Sequence, residues 1–226
     1  WNTRRNNRYV WSSIVTLSKL DANSFDLTDN YAFTGTTTGL VSTQKLFLIK
    51  NIDASSSSTV DFVNGSSSVV LDNTYKTYLF RIINVHPSTN SGGFAVNFSI
   101  DTGSNYNVTK TTTSFVAQHQ ESGSGGQLGY QTGYDLSQST SDQEITQNIY
   151  ATDDNSGCGN LFLFNPSSTT FVKHFISETG SMFANARAWH NFVGGYCNTT
   201  SAIDAVRFKF DTGNIDSGRI ALYGIK

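Results

Sequence analysis

Glutamate occurs three times in these 226 residues, methionine once (Met182), proline twice (Pro87, Pro166) and cysteine twice (Cys158, Cys197). Ala, Leu, Glu, Lys, Gln and Met together make only 45 residues. A helical bundle, a coiled coil or a doubly wound α/β enzyme needs far more of that group. Charge is scarce too: 14% of residues are charged and the net charge is −2. Duplex nucleic acid demands a basic footprint, so no nucleic-acid partner is expected. No apolar run approaches the roughly 18 residues of a membrane helix. The longest bursts, Leu46-Phe47-Leu48-Ile49 and Tyr78-Leu79-Phe80, are strand-sized, and no membrane insertion is expected. Trp1-Asn2-Thr3-Arg4-Arg5 lacks the hydrophobic stretch of a secretory signal. Two distant cysteines are too few for a zinc framework. They are expected as free thiols, because a chain this long buries roughly 70–75% of its extended surface without a crosslink.

What is present points to strands. Val, Ile, Phe, Tyr, Trp and Thr supply 83 residues, and Ser, Thr, Asn and Gly together supply 96. The first set fits a pleated, half-buried surface and the second fits the turns between strands. Residues up to about 44 read as a polar, partly extended lead-in, with one strand offered by Tyr9-Val10-Trp11 and Ile14-Val15. From Lys45 the strand signals become regular. Lys45–Lys50, Tyr75–Asn84, Leu161–Phe164, Phe171–Ile176 and Ile220–Ile225 are apolar segments of strand length. Phe94, Val96, Phe98 and Ile100 alternate with Ala95, Asn97, Ser99 and Asp101, which predicts one buried and one wet face. Val206, Phe208 and Phe210 repeat that pattern against Arg207 and Lys209. Asn64-Gly65, between Thr59–Val63 and Ser68–Leu71, predicts a hairpin. Asp142–Ile149 and Met182–Trp189 each offer a helical turn. The expected fold is all-β: a jelly-roll-like antiparallel β-sandwich over 45–226, of nine to eleven strands, preceded by an extended N-terminal arm over 1–44.

Few constellations carry chemistry. Asp101-Thr102-Gly103 and Asp211-Thr212-Gly213 each follow an apolar strand, as in aspartic proteases, where two adjacent carboxylates share one proton. The second triplet leaves no room for the rest of a second catalytic lobe, and Asp-Thr-Gly also suits a tight turn after a strand. No catalytic residue is therefore assigned. His86, His119, His174 and His190 lack metal-ligand spacing. Asp153-Asp154-Asn155-Ser156-Gly157 resembles part of a calcium loop without its distal glutamate, so a solvated turn is expected and no metal or cofactor. Asn64, Asn97, Asn107 and Asn198 open glycosylation sequons at the frequency that this composition produces by chance. What remains is aromatic side chains in polar surroundings: Tyr106, Tyr130, Tyr134, Tyr150, Trp189 and Tyr196. Such rings either stack on sugar faces and anchor interfaces or pack the rim of the sandwich. Arg4, Arg5 and Arg8, with Trp11, read either as an anchoring arm or as a solvated terminus.

Longer patterns add a resemblance. They are Ser104-Asn105-Tyr106-Asn107-Val108-Thr109-Lys110-Thr111-Thr112-Thr113, Leu163-Phe164-Asn165-Pro166-Ser167-Ser168, and Gly194-Gly195-Tyr196 with Asn198-Thr199-Thr200. The closing Val206–Phe210, Gly213-Asn214-Ile215-Asp216-Ser217-Gly218 and Leu222-Tyr223-Gly224-Ile225 are the most specific. On these residues, the chain from about Lys45 to Lys226 resembles a module at the C-terminus of virion proteins of marine tailed phages. The resemblance implies a non-enzymatic virion component, assembled in the host cytoplasm and released by lysis. A reducing cytosol agrees with sparse cysteine. Within the virion, it implies a tail-fibre or receptor-binding distal module, homotrimeric and bound to other virion proteins. Tyr106, Tyr130, Tyr134, Trp189 and Tyr196 would meet host surface glycans, and Arg4, Arg5, Arg8 and Trp11 would anchor the chain. The alternatives are a capsid decoration or head-fibre protein and, more remotely, a β-sandwich hydrolase.

Overall fold

A computed structural model of the chain describes residues 45–152, 154–183 and 186–226. The N-terminal arm, with Arg4, Arg5, Arg8 and Trp11, lies outside the described residues. All regular structure among the described residues is strand, in the chain order β1 (Leu46–Ser57), β2 (Val60–Val63), β3 (Thr77–Pro87), β4 (Gly92–Ser99), β5 (Lys110–Gln120) and β6 (Gln127–Tyr130), then β7 (Gln143–Ile149), β8 (Gly157–Phe164), β9 (Lys173–Phe183), β10 (Arg187–Cys197), β11 (Ala205–Phe210) and β12 (Ile215–Ile225). Every pairing is antiparallel. The larger layer runs β1–β12–β3–β8–β9–β10–β5–β6 and the smaller runs β7–β4–β11–β2. A single pairing, Ile149 with Phe183, joins them. The result is the expected all-β, jelly-roll-like sandwich.

Period-two alternation drives the packing. Phe94, Val96 and Phe98 of β4 and Val206, Phe208 and Phe210 of β11 turn inward, against Tyr78, Phe80 and Ile82 of β3 and Ile220 and Leu222 of β12. Phe208 is the hub. Its ring centroid lies 5.4 Å from Phe80 in the opposite layer and 5.9 Å from Phe94 beside it.

Several local expectations are corrected. The second face of β4 is not wet, because every residue of the strand is buried. Asn97 donates to the Thr140 carbonyl and to Asp142, so the segment before β7 caps that face. Asp142–Ile149 holds no helical turn but supplies β7, whose inner positions alternate, and the described residues of Met182–Trp189 fall on the end of β9, a turn at Ala186 and the start of β10. Asn64-Gly65 turns the chain, but Ser68–Leu71 forms no return strand. Val69 and Leu71 drop into the core, Asn64 Oδ1 accepts from Leu71 N–H at 2.9 Å, and β2 pairs with β11 instead. Burying two more apolar side chains wins over an isolated two-stranded ribbon, which is marginal in water. Both cysteines are free thiols, Cys158 exposed and Cys197 buried.

Candidate functional site on the outer face of the larger sheet

Side chains alternate across a strand, so β5, β9 and β10 each present a second face away from the core. On β5 that face carries Phe115, which pairs with Tyr130 on β6 and with Phe192 on β10. The Phe115 and Phe192 rings stack at 4.7 Å, and the His190 ring stacks on Phe192 at 4.7 Å. One row along, Ile176 on β9 pairs with Phe162 on β8, Phe162 with Leu79 on β3, Leu79 with Tyr223 on β12, and Tyr223 with Leu48 on β1. The two rows cross the larger sheet from one edge to the other. Leu128 is 72% exposed, and Tyr130, Ile176 and Leu48 are each more than half exposed. Among the described residues nothing covers this band, and an exposed apolar patch of this kind marks an interaction surface. A shallow groove of about 370 Å³ between Ala117, His119, Gly180 and His190 ends the band on the β5–β10 side.

Of the aromatic residues singled out in the sequence, Tyr130 belongs to this band, and its hydroxyl donates to Asp135 at 2.6 Å. Tyr196 lies on the same face of β10, its ring centroid 6.0 Å from that of His174. Trp189 turns the other way. It is nearly buried, stacked on Phe183 at 4.3 Å, with its indole N–H donated to Asn191. Tyr106 sits on the smaller layer under the Arg207 guanidinium, 3.9 Å from its ring centroid, and Arg207 clasps Asp61 with two bonds of 2.8 and 2.6 Å. Burial, then the nearby Asp61, pushes the Tyr106 hydroxyl up to about 12. Tyr134 is half-buried beside Glu144, away from the band, and burial also raises its hydroxyl. These five rings therefore do not converge on one patch. The band itself was announced by adjacent apolar pairs, Phe162-Leu163, Phe175-Ile176 and Phe192-Val193, which make both faces of a strand apolar.

The two Asp-Thr-Gly triplets stand at opposite ends of the β4–β11 ladder. Ser99 pairs with Ala205 at one end and Phe94 with Phe210 at the other, which separates Asp101 from Asp211 by roughly 20 Å of strand. Each carboxylate serves its own turn. Asp101 accepts from Asn105 and then Ser99, which hold it below the usual range, and Asp211 accepts from the Gly93 and Thr212 amides. They cannot share a proton. Among the described residues no three His, Cys, Asp or Glu side chains gather as a metal site.

Among the described acids Glu144 is the most disturbed. Burial, and then the like charge of Asp211, raises it to about 7. The folded chain therefore holds this proton up to a higher pH than the unfolded chain does, so stability falls as pH rises from about 4.5 to about 7. E144Q removes that loss. Urea unfolding should find the variant more stable than wild type at pH 8 by on the order of 2 kcal/mol, and little changed at pH 4. Equal stability differences at both pH values would contradict this.

No protein-family model matches the chain, and neither curated proteins nor solved structures give a significant match.

Proposed function

We propose that the chain is a non-enzymatic structural protein of a tailed-phage particle, its 45–226 sandwich serving as a tail-fibre or receptor-binding distal module that assembles as a homotrimer. The observation that carries this reading is the apolar band across the outer face of the larger sheet. Phe115, Phe192, Ile176 and Leu48 need a cover that the described residues do not supply, and around a threefold axis the two neighbouring copies offer apolar surface of the same kind. The resemblance of its sequence patterns to those of virion proteins of marine tailed phages supports the setting. Tyr130 and Tyr196, at the edge of the band, are the rings left to meet a glycan, and other virion proteins would receive the N-terminal arm.

Sedimentation of the full chain tests the reading. Wild type should sediment as a trimer, and a double F115E/I176E variant as a folded monomer with an unchanged strand circular-dichroism signal. Wild type that stays monomeric at high concentration overturns the assembly. Copy number then separates organs of the virion: few copies per particle belong to a tail, and a number matching the shell lattice to a capsid coat.

A further inference from the structure

Lys110 opens β5 with its side chain wholly buried in the sandwich. The atoms that receive its amine are uncharged, the Asn97 Oδ1 at 2.7 Å and the Val108 carbonyl at 2.9 Å. Burial lowers its pKa to about 8, with Cys197 and then Asp142 offsetting part of that effect, so an appreciable fraction is free amine at ordinary pH. Asn97 is 3% exposed and held on all sides. Its Oδ1 also accepts from the Phe98 N–H at 2.9 Å, while its Nδ2 donates to Asp142 Oδ1 at 2.7 Å and to the Thr140 carbonyl at 3.1 Å. A buried amine, a carboxamide and a carboxylate thus meet in one chain of contacts. The amine lies against the carbonyl end and the carboxylate against the nitrogen that would leave.

We infer that Lys110 and Asn97 join spontaneously in an isopeptide bond, with Asp142 carrying the proton. The free amine of Lys110 attacks Cγ of Asn97, forming the Nζ–Cγ bond and moving the carbonyl electron pair onto Oδ1. The Phe98 N–H is already aimed at that oxygen and stabilises the charge. Asp142 takes a proton from Nζ and delivers it to Nδ2. The carbonyl re-forms, the Cγ–Nδ2 bond breaks, and ammonia leaves. Amine plus carboxamide becomes a secondary amide plus ammonia, with no oxidation and no cofactor. The activation of the amine, its lost charge, comes from burial, as in other desolvated lysines.

The product ties β4 of the smaller layer to β5 of the larger one and closes the segment that holds Asp101, Thr102, Gly103 and Tyr106. Such a tie restricts the unfolded chain as a disulfide does, yet it survives reducing conditions. The inference is independent of the assembly proposed above.

Intact mass of the denatured full chain tests it directly. Wild type should fall short of its sequence mass by one ammonia, and K110M should not. Chymotrypsin cuts after Phe98 and Tyr106, so wild type should leave two peptides joined through Asn97 and Lys110. D142N should form the bond at least about 100-fold more slowly, read as the fraction of full-mass chain over time after refolding. Full sequence mass for folded wild type overturns the inference. So does a deficit that persists in K110M, which would mark a succinimide at Asn97 instead.

Discussion

Replacing Phe208 by alanine should lower stability by about 4 kcal/mol and the melting temperature by roughly 10 °C. The ring is fully buried. It meets Phe62 edge-on at 6.3 Å, Phe80 at 5.4 Å and Phe94 in a stack at 5.9 Å, so one side chain links β2, β4 and β11 of the smaller layer to β3 of the larger. Removing it deletes transfer energy and leaves a cavity that three rigid rings, fixed by their own strands, cannot close. F208L keeps most of the volume and should cost under about 1.5 kcal/mol. Urea unfolding of the three chains gives the comparison, with an unchanged slope for all of them. A loss below about 1 kcal/mol for F208A would mean that the two layers are not held together at this cluster.

Gly159 presents the opposite failure, too much volume. It lies on β8, paired with Ile82 on one side and Thr179 on the other. A Cβ placed there would run into the carbonyl oxygen of Glu178 and sit 2.6 Å from the Thr179 Cα. Backbone atoms cannot rotate away, so β8 and β9 must separate where six further strands of the larger layer depend on them. G159A should cost roughly 3 kcal/mol, at the upper end for overpacking. Gly194 on β10 provides the control, since a Cβ there would meet nothing nearer than Thr113 Oγ1 at 4.0 Å. G194A should be neutral or stabilise by a few tenths of a kcal/mol, because alanine restricts the unfolded chain. Thermal melts of both variants decide it. Equal stability of G159A and wild type would show that the β8–β9 approach is looser than described.

The regular alternation of Phe94, Val96 and Phe98, and of Val206, Phe208 and Phe210, was readable because each apolar residue is separated by one small or polar neighbour. β5 was not, because Lys110-Thr111-Thr112-Thr113-Ser114 is polar on both faces and its inward residues are satisfied by hydrogen bonds. Thr112, for example, donates to Gln143 on β7 at 2.5 Å. β7 itself, Gln143–Ile149, looks helical by composition and becomes a strand only because Ile145 and Ile149 have a core to enter. Among the nominated rings, exposure separates Tyr130 from Trp189. Sequence marks both as aromatic, whereas the face of the strand on which each falls sets what it can touch.

From the order of residues alone follow the all-β class and the place of several strands, since both rest on local spacing and on the two-residue period of the pleat, whereas β1, β8, β9 and β12 run well beyond the apolar segments that mark them. Which strand lies beside which is decided only in three dimensions. Lys110, Asn97 and Asp142 reach one another across two layers and a loop, and the outer band exists because β6, β5, β10, β9, β8, β3, β12 and β1 line up side by side. The physical reason is that alternation records which side of a strand prefers to leave water. The identity of the neighbour comes from how all those preferences are met at once in a single closed packing.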